Sequence, residues 1–235
     1  MKKFLSGISV QIYFAHSGSI VPGGLEQEYL AMMPPGIHAS ILRYKRWQDR
    51  QATLFGKLLL LRALLITFHD AGMQKFQSLE LTRDGKPFIP GGPEFNISHS
   101  EGMVVLAVTK SGQVGIDIEK IRFVPLEDFS RYVPEVANLH EKYDADHANE
   151  LFFDCWTQKE AVLKGYGKGL LAPLEQVAIQ ENTALFYETT WFIKKLPIDE
   201  GYCCHVATDK LLEHVAAERV NLMNGVTPVF HFPIP

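Results

Sequence analysis

Two acidic side chains, Asp117 and Glu119, lie two residues apart in the segment VGIDIEK at residues 114–120. In a β-strand, residues two apart share a face, which places these carboxylates about 7 Å apart along the backbone. The apolar neighbours lower the local dielectric, and the repulsion between the two charges is then offset most naturally by a shared cation. The same pattern also fits an exposed edge strand whose polar face is solvated.

A second group of charges lies in FFDCWTQKEAVLKGYGKGL at residues 152–170, which predicts an amphipathic helix ended by glycines. Glu160 and Lys164 are four residues apart and therefore share a helical face, as an ordinary surface ion pair does. In the functional alternative, Glu160 supplies a third oxygen to the cation, and Lys164 reaches a phosphate held by the same ion.

Two shorter motifs add polar side chains. FNISHS at residues 95–100 places Ser98 and His99 at the end of a predicted strand, where both either face a ligand cleft or serve the structure. DGKPF at residues 84–88 predicts a turn whose Lys86 either contacts phosphate or is solvated.

The elements that must position these residues are mixed. Apolar and polar residues alternate over residues 9–16, which predicts a strand. A short helix is predicted to end at prolines 34 and 35, and apolar residues at three- and four-residue steps predict a long helix over residues 40–69. Further strands are predicted over residues 78–81, 94–97, 103–109, 114–118, 176–179, 184–187, 191–195 and 202–208. Helices are predicted over residues 126–132, 136–143, 146–164 and 211–222. Runs of strands and helices without regular βαβ alternation favour an α+β fold of two similar-sized lobes, residues 1–115 and 116–235.

Composition excludes several classes. The chain has 235 residues, 46% of them hydrophobic, and a formal net charge of −4, which argues against disorder and against a nucleic-acid binder. Residues 1–115 carry 12 basic and 8 acidic side chains, and residues 116–235 carry 11 and 19, so a basic half could hold phosphates and an acidic half a metal. No membrane span and no signal peptide are predicted. The spacing of Cys155, Cys203 and Cys204 fits neither paired disulfides nor a tetrahedral metal site, and suits a reducing cytoplasm.

Taken together and in order, the motifs GKPF, FNISHS, GIDIE and WTQKEAVLKGYGKGL, all within residues 85–170, resemble those of the 4′-phosphopantetheinyl transferases of the pseudodimeric Sfp type. The length of the chain agrees with that type. The resemblance implies two pseudo-twofold-related α+β lobes, the first on the coenzyme A side and the second carrying the metal and the catalytic helix, with the active site in the cleft between them.

The resemblance also implies roles for individual residues. Asp117, Glu119 and Glu160 would hold Mg²⁺, with Mn²⁺ as an alternative ion. Lys164 would lie near the pyrophosphate of coenzyme A, with Lys159 in the same motif. Ser98 and His99 would contact the 3′-phosphate side of coenzyme A, and Lys86 with Pro87 would lie near its adenine.

One position departs from the family pattern. Where family members often carry an arginine in the long helix, this chain has Ala52. We predict that the nearby Arg50 takes the place of that arginine. It lies in a segment with six bases, and this segment either faces an anion or is solvated. Those bases are Arg43, Lys45, Arg46, Arg50, Lys57 and Arg62.

The implied reaction is attack by a serine hydroxyl of an acyl, peptidyl or aryl carrier protein on the phosphate that bears the pantetheine arm, with release of adenosine 3′,5′-bisphosphate. Glu135 resembles the glutamate that removes the serine proton, although it could instead cap a helix after Pro134, and metal-bound water is a rival base. We expect a cytoplasmic monomer that binds no nucleic acid or membrane and docks its carrier through residues 123–136. The alternatives are a coenzyme A or carrier-binding module without transfer activity, and a two-metal nuclease.

Overall fold

The computed structural model of the chain describes residues 7–136, 138–167 and 172–225. The helices of this part are α1 (Gly23–Ala31), α2 (Pro35–Leu42), α3 (Trp47–Phe68), α4 (Gly72–Gln77), α5 (Leu139–Lys142) and α6 (Ala145–Tyr166). The strands are β1 (Ile8–His16), β2 (Glu80–Leu81), β3 (Pro87–Phe88), β4 (Glu94–Ser100), β5 (Met103–Thr109), β6 (Val114–Lys120), β7 (Ala178–Gln180), β8 (Thr183–Phe186), β9 (Thr189–Lys195), β10 (Tyr202–Thr208) and β11 (Leu212–Arg219).

The first lobe is a four-stranded sheet in the order β11-β1-β5-β4, with α3 on one face. β1, β5 and β4 are antiparallel neighbours, whereas β11 runs parallel to β1. The second lobe is an antiparallel sheet in the order β6-β10-β9-β8-β7, with α6 against β6 and β10. α3 and α6 each have 22 residues, so the two lobes have matching layouts.

The hydrophobic core has three layers of contact. One layer lies between α3 and the first sheet, and another lies between α6 and the second sheet. The third lies between the sheets, where Val10, Ile12 and Val105 meet Ile116 and Val206. The order helix, sheet, sheet, helix confirms the α+β fold of two lobes. The division between residues 115 and 116 stays a prediction; that position lies inside β6, and β11 returns to the first sheet.

Three parts of the sequence-based description were wrong in detail. The helices predicted over residues 126–132 and 136–143 are two 3-10 turns, Leu126–Phe129 and Pro134–Val136, and the four-residue helix α5. Residues 211–222 were predicted as a helix, but residues Leu212–Arg219 form β11, because pairing with the open edge of β1 outweighs helix propensity. The long helix predicted over residues 40–69 is interrupted at residues 43–46, and α2 begins at Pro35 rather than being prevented by it. Proline is well suited to the first turn of a helix, where its missing N–H has no partner to lose.

The stretch Trp47–Gln77 has the length and apolar character of a membrane-spanning helix, but 61% of its most apolar window is buried inside the protein. The central helix of a folded core has the same properties. The segment is therefore only weak evidence for a membrane location.

Candidate active site

Asp117 lies at the centre of the candidate site, on β6, and the residue is only 2% exposed. Its Oδ1 accepts a hydrogen bond of 3.0 Å from Ser98 Oγ and forms an ion pair with Lys164 Nζ. Lys164 also donates to Ser98 Oγ at 2.8 Å, which joins three side chains from β4, β6 and α6. Asp117 Oδ2 is buried without a hydrogen-bond partner among the described residues, so the carboxylate keeps an unused ligand atom.

Two glycines bring α6 close to Asp117. A Cβ atom at Gly115 would lie well inside van der Waals contact with the carbonyl oxygen of Ala161 and the backbone of Gly165. A Cβ atom at Gly165 would strike the ring of Trp191. Glycine at both positions lets the backbones of β6 and α6 approach, which places Lys164 at Asp117.

Alternate residues of β4 connect the first lobe to β6. Asn96 Oδ1 accepts from the amide of Ile116 at 3.0 Å, and Ser100 Oγ donates to Glu119 Oε2 at 2.6 Å. Ser98 lies between them on the same face of β4. The three side chains therefore hold the edge strand of the first lobe against the acids of the second.

The three acids form one electrostatic cluster. Burial raises the pKa of Glu160 to about 7, and the neighbouring charge of Asp117 adds to this effect. Burial also raises the pKa values of Asp117 and Glu119, against the opposing influence of Lys164 on the first and of the Ser100 hydrogen bond on the second. A bound cation would relieve this cost of burying negative charge.

The acids do not form one closed ligand shell. Within the described ranges, the ligand atoms of Asp117, Glu119 and Glu160 do not all lie within 4.8 Å of one another, and Lys164 is paired with Asp117 instead. The donor set itself suits Mg²⁺, because it consists of carboxylate oxygens and includes the unpartnered Oδ2. Because Lys164 occupies Oδ1, Oδ2 is the oxygen of Asp117 that is open to a metal ion.

Ser98 and His99 face in opposite directions. Because adjacent strand residues point to opposite faces, His99 leaves the acid cluster and lines a cavity of about 550 Å³. The start of α3 forms another wall of this cavity through Arg46, Trp47 and Ala52. Enclosure, and then the charge of Lys164, lower the pKa of His99. Arg46 and His99 in its wall favour an anion, and Asp49 and Glu101 line other parts of the same cavity.

Arg50, the base predicted to face the anion, does not line this cavity. Its Nε donates to Glu26 Oε1 at 2.8 Å, which ties α3 to α1. Arg46 lies in the cavity wall, with its side chain 72% exposed and 3.9 Å from Asp49. The sequence therefore identified the segment that supplies a base to the cavity. The position of the turn before α3 decides that Arg46, and not Arg50, lines it.

Lys86 connects the first lobe to the end of α6. Its Nζ forms an ion pair with Glu94 and donates to the carbonyl oxygen of Gly165 at 3.3 Å. Pro87, the next residue, lies in the short strand β3 and is half-buried. Lys86 thus lies beside Gly165 and Gly167 at the end of α6.

Lys159 and Glu135 pair with each other. Lys159 is fully buried, with its Nζ 2.8 Å from Glu135 Oε1, and the Glu135 side chain is 44% exposed. This ion pair holds the short turn Pro134–Val136 against α6. Lys159 therefore does not reach the cleft, whereas Lys164 does. Residues 168–170 of the glycine motif lie outside the described ranges.

An apolar cavity of about 460 Å³ opens beside Glu160. Its walls include Phe129, Tyr132 and Trp156, with Leu174 from the segment that follows α6. Sequence reasoning did not single out this cavity, nor Asn96, Ser100 and Gly115, and it named Arg46 only as one of six candidate bases. The alternation of polar residues in FNISHS is the signal that would have grouped Asn96 and Ser100 with Ser98.

Comparison with known proteins agrees with this geometry. Residues 113–212 match the family model described as "4'-phosphopantetheinyl transferase superfamily", and residues 26–111 match "4'-phosphopantetheinyl transferase, N-terminal". The chain is 30% identical over 188 residues to 4'-phosphopantetheinyl transferase Sfp of Bacillus subtilis (strain 168), covering 75% of this chain and 82% of that protein.

Two further relatives carry the same description. The 4'-phosphopantetheinyl transferase ffp of Bacillus subtilis is 33% identical over 68% of this chain and 75% of its own length. The 4'-phosphopantetheinyl transferase gsp of Aneurinibacillus migulanus is 30% identical over 70% and 71%. The chain belongs to the 4'-phosphopantetheinyl transferase superfamily. Within that superfamily it is of the two-lobed Sfp type.

Proposed function

We propose that this protein transfers the 4′-phosphopantetheine arm of coenzyme A to a serine hydroxyl of an apo carrier protein and releases adenosine 3′,5′-bisphosphate. The single observation that carries this proposal is the cluster of Asp117, Lys164 and Ser98, where the two most specific motifs of the sequence meet. Membership of the transferase superfamily supports it independently.

For the metal we propose Mg²⁺, with Mn²⁺ as the alternative ion, held by Asp117, Glu119 and Glu160. The unpartnered Oδ2 of Asp117 and the raised pKa values of all three acids support this set. When bound, the ion supplies positive charge against the negative charge of the pyrophosphate.

The protein's own cations act on the rest of coenzyme A. Lys164, one turn after Glu160 and at the boundary between the lobes, would contact the pyrophosphate and stabilise the charge that develops on its oxygens. His99 and Arg46 would hold the 3′-phosphate in the 550 Å³ cavity, and Ser98 would position Lys164. Lys86 and Pro87 would lie near the adenine.

The residue that accepts the serine proton is proposed to be Glu135. Its carboxylate is partly exposed and is held by Lys159, so it is accessible to a substrate hydroxyl. Glu135→Gln should abolish the acidic limb of the pH profile of kcat. If Glu135 only anchors Lys159, the variant should lose stability and keep the wild-type pH profile.

The carrier protein is proposed to dock on residues 123–136. Phe123 is 75% exposed there, and Phe129 and Tyr132 line the apolar cavity beside Glu160. A carrier seated on this surface would bring its serine towards the acid cluster. Acyl, peptidyl and aryl carriers are all candidates, and a panel of them assayed side by side identifies the substrate.

The decisive experiment is mass spectrometry of apo carriers after incubation with the protein, coenzyme A and Mg²⁺. We expect a mass increase equal to the phosphopantetheine arm, lost with a chelator and in Asp117→Asn. Asp146→Asn, at the exposed start of α6, is the matched control and should stay active. No added mass on any carrier, together with coenzyme A binding in calorimetry, would support the binding-module alternative instead.

We also propose a cytoplasmic monomer that binds neither nucleic acid nor membrane. The three cysteines, all within the described ranges, are free thiols, as a reducing compartment favours. The burial of most of the apolar α3 window is in keeping with a location outside the membrane.

A further inference from the structure

A second group of potential metal ligands lies away from the three acids, between α6 and β10. It consists of the Asp154 carboxylate on α6, and of the Cys203 thiol and the His205 imidazole on β10. Their ligand atoms all lie within 4.8 Å of one another. Cys203 and His205 are 1% and 3% exposed, so the group is covered by the fold.

The separations are close to those of a tetrahedral metal site. Cys203 Sγ and His205 Nε2 lie 3.9 Å and 3.8 Å from Asp154 Oδ1. Cys203 Sγ also lies 3.9 Å from His205 Nδ1, the ring nitrogen that is bonded to Thr157. The bond lengths of Zn²⁺ to sulfur and nitrogen imply about 3.6 Å between such ligand atoms. The two distances to Asp154 Oδ1 are therefore within a few tenths of an ångström of that geometry, and the ligand atoms of Cys203 and His205 lie within 4.8 Å of each other.

The hydrogen bonds around His205 leave a lone pair facing the carboxylate. Thr157 Oγ1 donates its proton to the carbonyl of Phe153 at 2.7 Å, so it accepts from His205 Nδ1 at 2.8 Å. The Nε2 atom then carries the free lone pair and faces Asp154. Two acceptors at this separation favour a cation between them, and a hydrogen bond at the other ring nitrogen is the usual second-shell support of a metal-bound histidine.

The cation at Asp154 in this structure is Lys195, whose Nζ lies 2.6 Å from Oδ1. Its side chain is 63% exposed, so it can move into solvent when another cation binds. Gln158 donates to the second carboxylate oxygen at 2.7 Å and keeps Oδ1 turned towards the group. Burial also lowers the pKa of His205 to about 4, which agrees with a neutral ring.

We propose that Asp154, Cys203 and His205 bind one Zn²⁺ ion that ties α6 to β10. Binding forms bonds from the metal to oxygen, sulfur and nitrogen, releases the thiol proton of Cys203 to solvent, and displaces Lys195. The carboxylate and thiolate together balance the charge of the ion, and a water completes the tetrahedron.

The position of the site suggests a structural role next to the active site. His205 is the cross-strand partner of Asp117, and Asp154 lies six residues before Glu160 on the same helix. An ion between α6 and β10 would therefore fix the helix that carries Glu160 against the strand next to Asp117. The cysteine spacing alone did not indicate this site, because one ligand comes from a helix some fifty residues earlier in the chain.

The test is to load the metal-stripped full-length protein with Co²⁺ and record its absorption spectrum. We expect a thiolate-to-cobalt charge-transfer band that Zn²⁺ abolishes by competition. The band should be lost in Cys203→Ser and kept in Cys204→Ser, the adjacent buried cysteine of the same strand and the matched control. It should also persist in Asp117→Asn, because the three-acid cluster contains no sulfur.

A second measurement, the thermal midpoint with and without Zn²⁺, separates the loss of metal binding from a failure to fold. Zn²⁺ should raise the thermal midpoint of the wild type and of Cys204→Ser, but not that of Cys203→Ala, with native circular dichroism in all three. Absence of a thiolate band in the folded wild type, or its persistence in Cys203→Ser, overturns the proposal. Neither readout uses transfer activity, so the proposed function is tested separately.

Discussion

Glu160 is an acid whose titration should be visible in the stability of the protein. Burial, reinforced by Asp117, raises its pKa from 4.5 to about 7, so folding favours the protonated carboxyl. This contribution is complete below pH 4.5 and is lost as the pH rises through 7. It amounts to at most about 3 kcal/mol of unfolding free energy.

We therefore predict that Glu160→Gln, without added metal, is more stable than the wild type at pH 8 and nearly equal to it at pH 4. Denaturant unfolding at the two pH values measures the difference. Asp117 and Glu119 repel the charge of Glu160, so the substitution also relieves these two acids, and the measured difference reports the titration of the coupled cluster. An equal stability difference at both pH values would contradict the prediction.

Arg46 and Arg50 should have separable roles although they are only one helical turn apart. Arg46 lines the cavity next to His99, whereas Arg50 is bonded to Glu26. Arg46→Ala should raise KM for coenzyme A about 10-fold or more, because a charged hydrogen bond to phosphate is lost. Arg50→Ala should leave KM unchanged and lower stability by about 1 kcal/mol.

Steady-state kinetics at varied coenzyme A concentrations, combined with thermal denaturation, check this pair. Each arginine serves as the control for the other, since both substitutions remove the same charge. A rise in KM with Arg50→Ala alone would restore Arg50 as the anion-binding residue of α3.

At the scale of elements, the contact between β6 and α6 depends on Gly115. Alanine there would collide with backbone atoms of Ala161 and Gly165, which cannot move without separating strand from helix. We expect Gly115→Ala to lower stability by about 3 kcal/mol and to reduce transfer sharply. Gly36→Ala, in α2 with open space around it, is the control and should be neutral or slightly stabilising.

Chemical denaturation and the carrier assay measure these effects. Wild-type stability and activity in Gly115→Ala would contradict the prediction, because they would show that β6 and α6 can accommodate a Cβ atom at this position. A loss of activity without a loss of stability would place the effect in the distance between Asp117 and Lys164.

Most elements could be predicted from sequence because their patterns are local. The alternation in β1, the short apolar run of β5 and the helical period of α6 depend on each segment's own residues, and these elements were confirmed. β11 could not be predicted, because its pairing partner β1 lies some 200 residues away. Its composition alone favours a helix.

The candidate site was predictable in part for the same reason. The motifs identified Asp117, Glu160 and Lys164 as neighbours, and Lys164 is bonded to Asp117. The opposite directions of Ser98 and His99 follow from strand alternation and could have been predicted. The ion pair of Lys159 with Glu135 and the bond of Arg50 to Glu26 depend instead on packing between elements. Such arrangements leave little signal in a motif.

At the scale of the whole molecule, the two lobes should unfold together. They share the core layer between the sheets, and β11 links the second half of the chain to the first sheet. Single-tryptophan variants that keep either Trp47 on α3 or Trp191 on β9 report on each lobe by fluorescence. We predict coincident denaturation midpoints for the two probes.

A perturbation confined to β11 should move both probes. Ala216→Pro, opposite Gln11 in the pairing with β1, should lower both midpoints, because proline cannot donate a hydrogen bond to the sheet. Separate transitions for Trp47 and Trp191, with only the first shifted by the substitution, would show that the lobes fold independently.

Because β11 pairs with β1, the first sheet is complete only when both halves of the polypeptide are present. If the gene were split in the turn between β5 and β6, the second fragment would donate an edge strand that the first fragment lacks. Co-expressed fragments of residues 1–112 and 113–235 should therefore recognise each other and regain transfer, while each alone aggregates. The protein would then serve as a complementation reporter whose signal is a covalently tagged carrier.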